Sequence, residues 1–373
     1  MWGNDEVLPE WVKYGGARMT YVLWMLVNLV WISEKTPEGW AKGVISLLYK
    51  DGDPRDPLNY RGITLLSVVA KLFASVLNRR LMSFCEEGGL LADEQAGFRT
   101  GRNCMDHIFT IKEILETRRK RKENTFACFI DIRKAYDSVC RDALWCSLWD
   151  KGIRGRLARV LRAYYSDVQS CCKVGSERTD WFDVETGLRQ GCVMSPILFD
   201  IFIDGLIGEL RAVKRGVPID PGGDPCGERL NVLAYADDLV LLAESEWDLQ
   251  ILMRQVASWC RRFRLKVNMK KTKVVVFGKK SCEKFQFTMD GEQVEQLDEY
   301  KYLGIVMHRD GRVGMTKTKE AGLSKARRAA AGTWGLLARV GNPSVKASVN
   351  VWNTLVRPLL EYGRGYGRPV GRG

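Results

Sequence analysis

Tyr235-Ala236-Asp237-Asp238 is the stretch that decides the fold, and it lies between apolar runs at 230–234 and 239–243. Two short apolar runs joined by a tight polar break predict the two strands of a hairpin. Two adjacent carboxylates would then lie at the tip of a buried element, where unpaired charge is costly unless a metal or another charge compensates it. Such a tip suits Mg²⁺ and a substrate that carries phosphates. The ordinary alternative is an exposed turn with two solvated acids, because Asp is common in turns.

Length and charge limit the class of protein. A chain of 373 residues is long for one core and suits two or three subdomains. Its hydrophobic fraction of 46% and charged fraction of 28% indicate a globular protein rather than a disordered one. Lys and Arg number 58 against 45 Asp and Glu, and the net charge of +13 favours a polyanionic partner. Basic character without any specific partner is the alternative.

The cysteines and histidines do not form a zinc-binding pattern. None of the eleven cysteines belongs to a Cys-x-x-Cys pair, and the two histidines lie apart from any cysteine cluster. Several cysteines, such as Cys128 and Cys192, lie in apolar segments where a buried thiol acts as a small hydrophobe. An odd number of cysteines without a signal peptide indicates a reducing, intracellular setting, which in a eukaryote would be the nucleus and cytoplasm.

The apolar segment at 21–32 is too short to cross a membrane, because a bilayer needs roughly twenty helical residues. It predicts a buried core helix instead, and the sequence predicts no membrane partner.

Helical and strand patterns alternate in the middle of the chain, and helical patterns occupy both ends. Helices are predicted at 65–82, 105–121, 142–149, 157–165, 195–210, 246–263 and 316–361. Besides the hairpin runs and two strands that flank Gly175-Ser176, strands are predicted at 126–130, 274–277 and 285–289. A loop rich in Gly, Pro and Asp is predicted at 216–227. This order predicts an α+β core with flanking helical subdomains.

The predicted helix at 105–121 ends in the basic run Arg118-Arg119-Lys120-Arg121-Lys122. Cations suit a helix C-terminus, so this run can be a solvated cap. It can equally contact a phosphate backbone, and the pattern leaves both interpretations open.

Two predicted strands end next to aspartates. Asp131 follows the strand at 126–130, and Asp237 follows the one at 230–234. If these strands pair, Asp131, Asp237 and Asp238 meet at the edge of one sheet. Carboxylates that close raise one another's pKa unless cations neutralise them. Two Mg²⁺ ions about 4 Å apart would do so, and would also hold the attacking and leaving oxygens of a phosphoryl transfer.

The two aspartate motifs, at 129–137 and 235–238, resemble the metal-binding motifs of reverse transcriptases. The wider pattern resembles the LINE-type, non-LTR retrotransposon branch. Further segments match that branch in order, at 59–66, 94–99, 187–196, 268–272 and 300–304. The resemblance covers nearly the whole chain.

The resemblance implies a right-hand polymerase with fingers, palm and thumb and an antiparallel palm sheet. Fingers and an N-terminal helical region would occupy residues 1–124, the palm with its catalytic motifs and primer grip 125–312, and a partial helical thumb 313–373. The implied reaction is RNA-directed DNA synthesis, in which a primer 3′-hydroxyl attacks a dNTP. The implied partners are an RNA template, a DNA primer and dNTPs, while the oligomeric state is not specified.

The resemblance also implies roles for individual residues. Asp131 and Asp237 would be the principal ligands of two Mg²⁺ ions, for which Mn²⁺ can substitute, with Asp238 as a weaker or structural partner. Lys271 matches the proton donor to the leaving pyrophosphate. Lys270 and Lys273 are close enough in sequence for the register to differ.

Four residues match the nucleotide site of the family. Tyr136 would lie under the incoming sugar and crowd a 2′-hydroxyl, which favours deoxynucleotides. Gln190 would hydrogen-bond the sugar, and Gly191 would allow close backbone approach. Arg61 would grip the triphosphate with its forked guanidinium, although a surface Arg near a turn is the ordinary alternative.

Two further segments match the parts that hold nucleic acid. The residues implied on the template side are Gln95, Arg99 and Arg102. The residues implied in the primer-positioning hairpin are Tyr302, Leu303 and Gly304. Arginines beside Phe98 would neutralise and stack on an unpaired strand.

The chain also departs from the family pattern. Gly62 stands where the family often has Pro, which would loosen the turn. No endonuclease precedes the motifs and no Cys/His module follows them, so we expect a fragment or degenerate copy of a larger element protein. The alternatives are therefore an inactive fragment that only binds nucleic acid, and an intron-maturase-like protein, for which no maturase segment is found.

Overall fold

The computed structural model describes residues 7–50, 52–219, 227–339, 341 and 343–361. The predicted loop at 216–227 therefore lies largely outside the described residues, as do both ends of the chain at 1–6 and 362–373. Within the described residues, helices and sheets alternate along the middle of the chain and helices occupy both ends, as the pattern predicted.

Capping side chains mark the beginning of several helices. Ser67, Asn103 and Ser245 each accept a hydrogen bond from a backbone amide in the first turn that follows. Pro196 lies in the first turn of another helix, where no amide donor is needed. The helices are α1 (Pro9–Tyr14), α2 (Gly16–Ser33), α3 (Glu38–Ala41), α4 (Val68–Glu87), α5 (Cys104–Lys120), α6 (Arg141–Asp150), α7 (Gly155–Tyr164), α8 (Ser195–Ala212), α9 (Glu246–Arg262), α10 (Met315–Arg339), α11 (Val345–Leu355) and α12 (Arg357–Glu361).

The predicted strands are present with small shifts at their ends, and short strands extend the sheets. The strands are β1 (Lys42–Tyr49), β2 (Tyr60–Leu65), β3 (Thr125–Asp131), β4 (Gln169–Val174), β5 (Glu177–Arg178), β6 (Phe182–Asp183), β7 (Val217–Pro218), β8 (Arg229–Leu230), β9 (Val232–Tyr235), β10 (Asp238–Ala243), β11 (Lys273–Phe277), β12 (Phe287–Met289), β13 (Glu292–Leu297), β14 (Glu299–Tyr302), β15 (Ile305–His308) and β16 (Val313–Gly314).

Among the described residues, the central sheet has six strands in the order β12-β13-β11-β3-β10-β9. β9 and β10 form the predicted hairpin, and β10 pairs antiparallel with β3 so that Asp238 lies opposite Asp131. The predicted antiparallel sheet has one exception, because β11 and β13 run parallel. β12 and β13 form an antiparallel hairpin. Because the chain reverses once more in this hairpin, β13 runs in the same direction as β11.

Side chains of β3 alternate between the two faces of this sheet. Phe126, Cys128 and Ile130 belong to the larger core, which includes residues of α4, α8 and α9. Ala127 and Phe129 belong to a smaller core with residues of α5, β14 and β15. Each buried Phe or Ile side chain contributes about 1.5–3 kcal/mol, so β3 is held from both sides. Burial on both faces explains why the strand is continuously apolar in sequence.

A second sheet carries Arg61 on β2. β2 pairs antiparallel with β1, and β1 pairs parallel with β4. β4 and β5 form the predicted hairpin, with Gly175 at a positive φ of 62° in its turn. The amide of Thr64 in β2 donates to the carbonyl of Gln190 at 2.7 Å. This bond attaches the second sheet to the loop before α8.

The helix predicted at 21–32 forms as part of α2, but the prediction that it is buried is wrong. Among its residues only Val30 is buried, whereas Trp24, Leu29 and Ile32 are exposed by 60%, 62% and 66%. One edge of the helix, at Val27 and neighbouring positions, packs on the larger core. An apolar sequence does not bury a helix unless other elements surround it, and α2 is covered along one stripe.

The C-terminal helices α10, α11 and α12 pack on one another and stand where the sequence predicted one helical tail. Ala326, Thr333 and Val356 are buried there. None of the described helices combines the length and apolarity that crossing a bilayer requires.

Candidate active site

The tip of the β9–β10 hairpin is a two-residue turn of Ala236 and Asp237. Ala236 has φ 56°, a region that glycine usually occupies at the first central position of such turns. The Ala236 amide donates to Oε1 of Gln95 at 2.9 Å, which also accepts from the Gly97 amide at 2.8 Å. A buried glutamine thus holds the acidic turn in a strained backbone conformation.

The three predicted carboxylates come together at this tip. Asp131 and Asp238 are register partners on β3 and β10, and Asp237 precedes Asp238 in the turn. Burial, and then the charge of Asp131, raise the pKa of Asp237 above its usual range. Partial burial and the charges of Asp237 and Asp131 raise the pKa of Asp238 to about 6. The site therefore concentrates negative charge that the protein itself compensates only in part.

Two neighbours from the loop before β11 hold the Asp131 carboxylate. Asn268 donates from Nδ2 to Asp131 Oδ2 at 2.8 Å, and Lys271 Nζ lies 3.2 Å from Oδ1. Lys273 instead pairs with Glu295 at 2.9 Å, which places Lys271 rather than Lys273 at the site. Asn268 is the first residue of the matched segment at 268–272, but the resemblance implied no role for it. Its position three residues before Lys271 was the available signal.

The donor set fits a hard divalent cation. Mg²⁺ is usually held by one or two carboxylates together with substrate phosphates, and its positive charge offsets the repulsion between neighbouring carboxylates. Within the described residues, no three acidic, histidine or cysteine side chains form a ready-made metal cage. Asp131 and Asp237 therefore suit metal binding that phosphate oxygens complete.

Tyr136 lies beside the carboxylates at the end of β3. Its ring stacks on Phe199 of α8, with centroids 4.7 Å apart and an angle of 19° between the planes. The hydroxyl is buried, while the ring is half-buried. The ring therefore has a fixed support on one side, as a platform for a nucleotide sugar requires.

Gln190 and Gly191 lie against β2 and the Tyr136 segment. Gln190 donates from Nε2 to Asp137 Oδ1 at 2.7 Å. Gly191 has φ 113°, and a Cβ there would lie 2.5 Å from the carbonyl oxygen of Thr64. Only glycine combines this conformation with such close backbone approach.

Arg61 is exposed on β2 and faces this group. Its charge lowers the pKa of Asp237, against the larger opposing effect of burial. It acts in the same direction on Tyr136, whose pKa burial raises. Arg61 therefore adds positive charge to the site from the second sheet.

The predicted template-side residues divide into two kinds. Gln95 is fully buried and Arg99 is 8% exposed. Arg99 donates to both carboxylate oxygens of Glu86, at 3.0 and 2.7 Å, and to the carbonyl of Ala92 at 2.8 Å. Gln95 holds the acidic turn, and Arg99 is held by Glu86 and by its own loop. Both side chains are therefore buried at positions where the resemblance implied a contact with the template. Burial was not visible in a short polar motif.

Arg102 and Phe98 remain at the surface of the same segment. Arg102 pairs with Asp93 at 2.5 Å, and 40% of its side chain is exposed. The Phe98 side chain is 52% exposed. Of the predicted template-side arginines, Arg102 is the accessible one.

The predicted primer hairpin is present as β14 and β15. Leu303 and Gly304, at φ 44° and 82°, form its two-residue turn. The Tyr302 side chain is buried, and its hydroxyl lies 3.4 Å from Nδ1 of His107. Tyr300 stacks on Phe129 of β3 with centroids 4.3 Å apart. Aromatic packing therefore anchors the hairpin beside the aspartates, with Leu303 and Gly304 at its tip.

Comparison with known proteins identifies a family that matches more than half of this chain. The family described as reverse transcriptase (RNA-dependent DNA polymerase) matches residues 50–307. A probable RNA-directed DNA polymerase from transposon BS of Drosophila melanogaster is 28% identical over 97% of this chain and 39% of its own length. A Pol polyprotein from the type-1 retrotransposable element R2 of Nasonia vitripennis is 25% identical over 77% of this chain and 28% of its own. The chain thus spans well under half the length of these curated relatives.

Solved structures show the same fold at low sequence identity. Telomerase from Candida tropicalis, in complex with a fragment of telomeric RNA, aligns with a TM-score of 0.55 and 13% identity over 92% of this chain and 57% of that one. A truncated apo telomerase from the same organism gives 0.52 and 12% over 79% and 60%. The described architecture is thus a right-hand polymerase fold. The chain belongs to the reverse transcriptase family.

Proposed function

We propose that this chain copies RNA into DNA by adding dNTPs to the 3′-hydroxyl of a DNA primer. The observation that carries the proposal is the meeting of Asp131, Asp237 and Asp238 where β3 pairs with β10. Such a concentration of carboxylates suits two-metal phosphoryl transfer. The family match extends across the strands that build the site.

Asp131 and Asp237 would hold two Mg²⁺ ions, or Mn²⁺ in their place, with Asp238 as a weaker partner. When bound, these ions stabilise the negative charge that develops on the attacking and leaving oxygens. Lys271 would give a proton to the leaving pyrophosphate, and its position 3.2 Å from Asp131 supports that role. Asn268 would keep the Asp131 carboxylate in one orientation.

The incoming nucleotide would lie between the two sheets. Arg61 would bind its triphosphate, since the guanidinium fork matches phosphate oxygens. Tyr136 would lie under the sugar and exclude a 2′-hydroxyl. Gln190 would hydrogen-bond the sugar, and Gly191 would let the backbone approach the nucleotide.

An RNA template and a DNA primer would be the macromolecular partners. Base pairing would supply the sequence information, so protein contacts would be mainly to backbone and shape. The net charge of +13 supports binding to phosphates. We assign fingers to 1–124, palm to 125–312 and thumb to 313–373, with Leu303 and Gly304 at the primer and Arg102 on the template side.

Primer extension tests the proposal. The substrates are oligo(dT) on poly(A), dTTP and Mg²⁺, and the variants are Asp237→Asn and, as a matched control on an exposed loop, Asp180→Asn. We expect extension by the parent and by Asp180→Asn, and none by Asp237→Asn. A folded, RNA-bound parent that does not extend the primer would overturn the proposal and leave a protein that only binds nucleic acid.

A further inference from the structure

One buried acid has no role in the site described above. Asp200 lies in α8 with none of its surface exposed, and neither carboxylate oxygen has a hydrogen-bond partner among the described residues. Burial raises the pKa of Asp200 well above its usual range, so the neutral form is favoured. An unsatisfied buried polar group destabilises the fold, and an apolar side chain would avoid that cost. Packing alone therefore does not explain an acid at this position.

Tyr136 and Gln95 are among the other buried side chains that have unpaired polar atoms. The Tyr136 hydroxyl and the Nε2 amide of Gln95 are buried and make no hydrogen bond within the described residues. We call Gln95, Tyr136 and Asp200 the buried polar cluster. Its members are complementary, because the amide and the hydroxyl donate hydrogen bonds and a carboxyl group accepts them.

Asp200 lies close enough to Tyr136 for its charge to act on that residue, and its helix face is directed to the loop that contains Gln95. Phe199, the preceding residue, stacks on the Tyr136 ring. Asp204 lies one turn further along the same helix face and accepts a hydrogen bond from the Ala92 amide at 2.7 Å. That face of α8 is therefore turned to the loop that carries Gln95.

The surrounding charges are already paired with other groups. Arg99, whose charge acts on Asp200, is bound by Glu86 and by the carbonyl of Ala92. Lys151 is bound by Asp204 at 2.5 Å. Within the part of the chain that the structure describes, Asp200 forms no ion pair, and its carboxyl group is left to bind water.

We propose that Asp200 is a positioning residue for nucleotide selection, which links the Tyr136 hydroxyl to the Gln95 amide through ordered water. The link would tie the sugar platform to the acidic turn, because Oε1 of the same glutamine holds the Ala236 amide. A polar, enclosed group of this kind is where buried water is usually found. The inference rests on the proposed function, since it concerns the choice between a dNTP and an rNTP.

The expected consequence of losing the link is a looser Tyr136 ring. A ring that shifts would tolerate a 2′-hydroxyl, so the preference for deoxynucleotides would fall while the fold stayed intact. Replacing Asp200 by Leu keeps the position on α8 filled, although the Tyr136 hydroxyl and the Gln95 amide lose the partner that the link gives them. Selectivity is therefore compared between variants whose folding is measured separately.

Equilibrium binding of dTTP and UTP tests the inference without requiring catalysis. The protein is bound to poly(A) and an oligo(dT) primer with a dideoxy end, in Mg²⁺, and the two dissociation constants are compared. We expect Asp200→Leu to lower the preference for dTTP by about fivefold, the effect of one hydrogen bond, in a variant that thermal unfolding shows to be folded. Asp200→Asn, which retains hydrogen-bonding capacity, should stay within about twofold of the parent by the same measure.

Two further variants keep the test decisive. Asp204→Asn, on the same helix face, should change stability and leave the preference unchanged. Tyr136→Phe removes the buried hydroxyl and should match Asp200→Leu, with no additional loss in the double variant. If Asp200→Leu does not fold, Tyr136→Phe alone tests the inference.

The outcomes separate this inference from the proposed function. An unchanged preference in Asp200→Leu or in Tyr136→Phe would overturn the positioning role, even if the parent extends primers. A preference that depends on Asp200 in a protein that does not extend primers would support the role and refute the polymerase. A parent without any preference for dTTP would overturn the inference.

Discussion

Buried charges are compensated to different extents at the two ends of the β3–β10 pair. At the end far from the aspartates, Arg118 is buried and donates to Glu244 at 2.8 Å and to the carbonyl of Asn124 at 2.7 Å. Arg229 also pairs with Glu244. The other end contains the three aspartates Asp131, Asp237 and Asp238. Two side chains hold Asp131 there, Asn268 and Lys271, and of these two Lys271 carries a charge. The far end compensates its charges internally, whereas the aspartate end leaves negative charge for a ligand.

The basic run at the end of α5 contains buried and exposed cations. Arg118 is 4% exposed and belongs to the internal network, so it is neither a solvated cap nor a phosphate contact. Arg119, Lys120 and Lys122 are exposed. A single run in the sequence therefore contains a structural cation and surface cations.

The largest expected effect is at the aspartate end. Asp131→Asn should lower primer extension by about a thousandfold or more, because a principal metal ligand is lost. Its Tm should be unchanged or higher, because repulsion among the carboxylates falls. Extension assays and thermal unfolding measure the two effects. Activity within tenfold of the parent would mean that this end does not bind the metal.

The next effect is at the far end and concerns stability. Arg118→Met should destabilise the fold by about 3 kcal/mol, because partners of a buried cation are left unpaired. The matched control is Arg119→Met, which changes the neighbouring exposed residue and should change the free energy of unfolding by less than about 0.5 kcal/mol. Urea unfolding measures both. Equal effects would show that the internal network adds nothing to stability.

A third effect depends on pH and lies at the start of α5. Burial lowers the pKa of His107 to about 4, whereas an unfolded histidine has its usual value near 6.5. As the pH falls below 6.5 the unfolded chain takes up a proton first, so stability is lost between pH 6.5 and 4. The loss from pH 7.5 to 5 should be about 2 kcal/mol.

His107→Phe isolates this contribution, since it fills the same space without a titrating group. The difference in unfolding free energy between the parent and the variant should therefore change by about 2 kcal/mol between pH 7.5 and pH 5. If the difference is the same at pH 7.5 and pH 5, the histidine is not buried in its neutral form.

The smallest expected effect concerns Asn268, at the aspartate end of the sheet. Asn268→Ala should lower extension by about tenfold, since it removes a hydrogen bond that orients a metal ligand. Ser and Thr are poor substitutes because they are too short to replace the amide. Raising the Mg²⁺ concentration should restore part of the activity. A loss that Mg²⁺ does not relieve would assign Asn268 to folding instead of metal binding.

Local patterns sufficed for the elements that build the site. The hairpin at 230–243 and the strand ending at Asp131 were predictable, because continuous apolar runs and a two-residue polar break specify strands and a turn. The site roles of Asp131, Asp237 and Asp238 came from the same residues and from the resemblance. The pairing of Asp131 with Asp238 is observed in the structure.

Burial could not be predicted where it depends on distant neighbours. The apolar helix α2 is largely exposed, while the polar residues Gln95 and Arg99 are buried. In each case the decisive partners are far away in sequence, such as Ala236 for Gln95. A short motif specifies residue types, but it carries no information about what packs over them.

The sequence by itself determined the strands, the acidic turn and the family of this protein, because local apolar periodicity and motif order are properties of the chain alone. Only the tertiary structure decided which polar groups serve the fold and which are left for a ligand. The physical reason is that the cost of a buried charge or amide depends on the partners it meets, and those partners come from remote segments. Arg118 meets Glu244, whereas Asp200 meets no partner among the described residues.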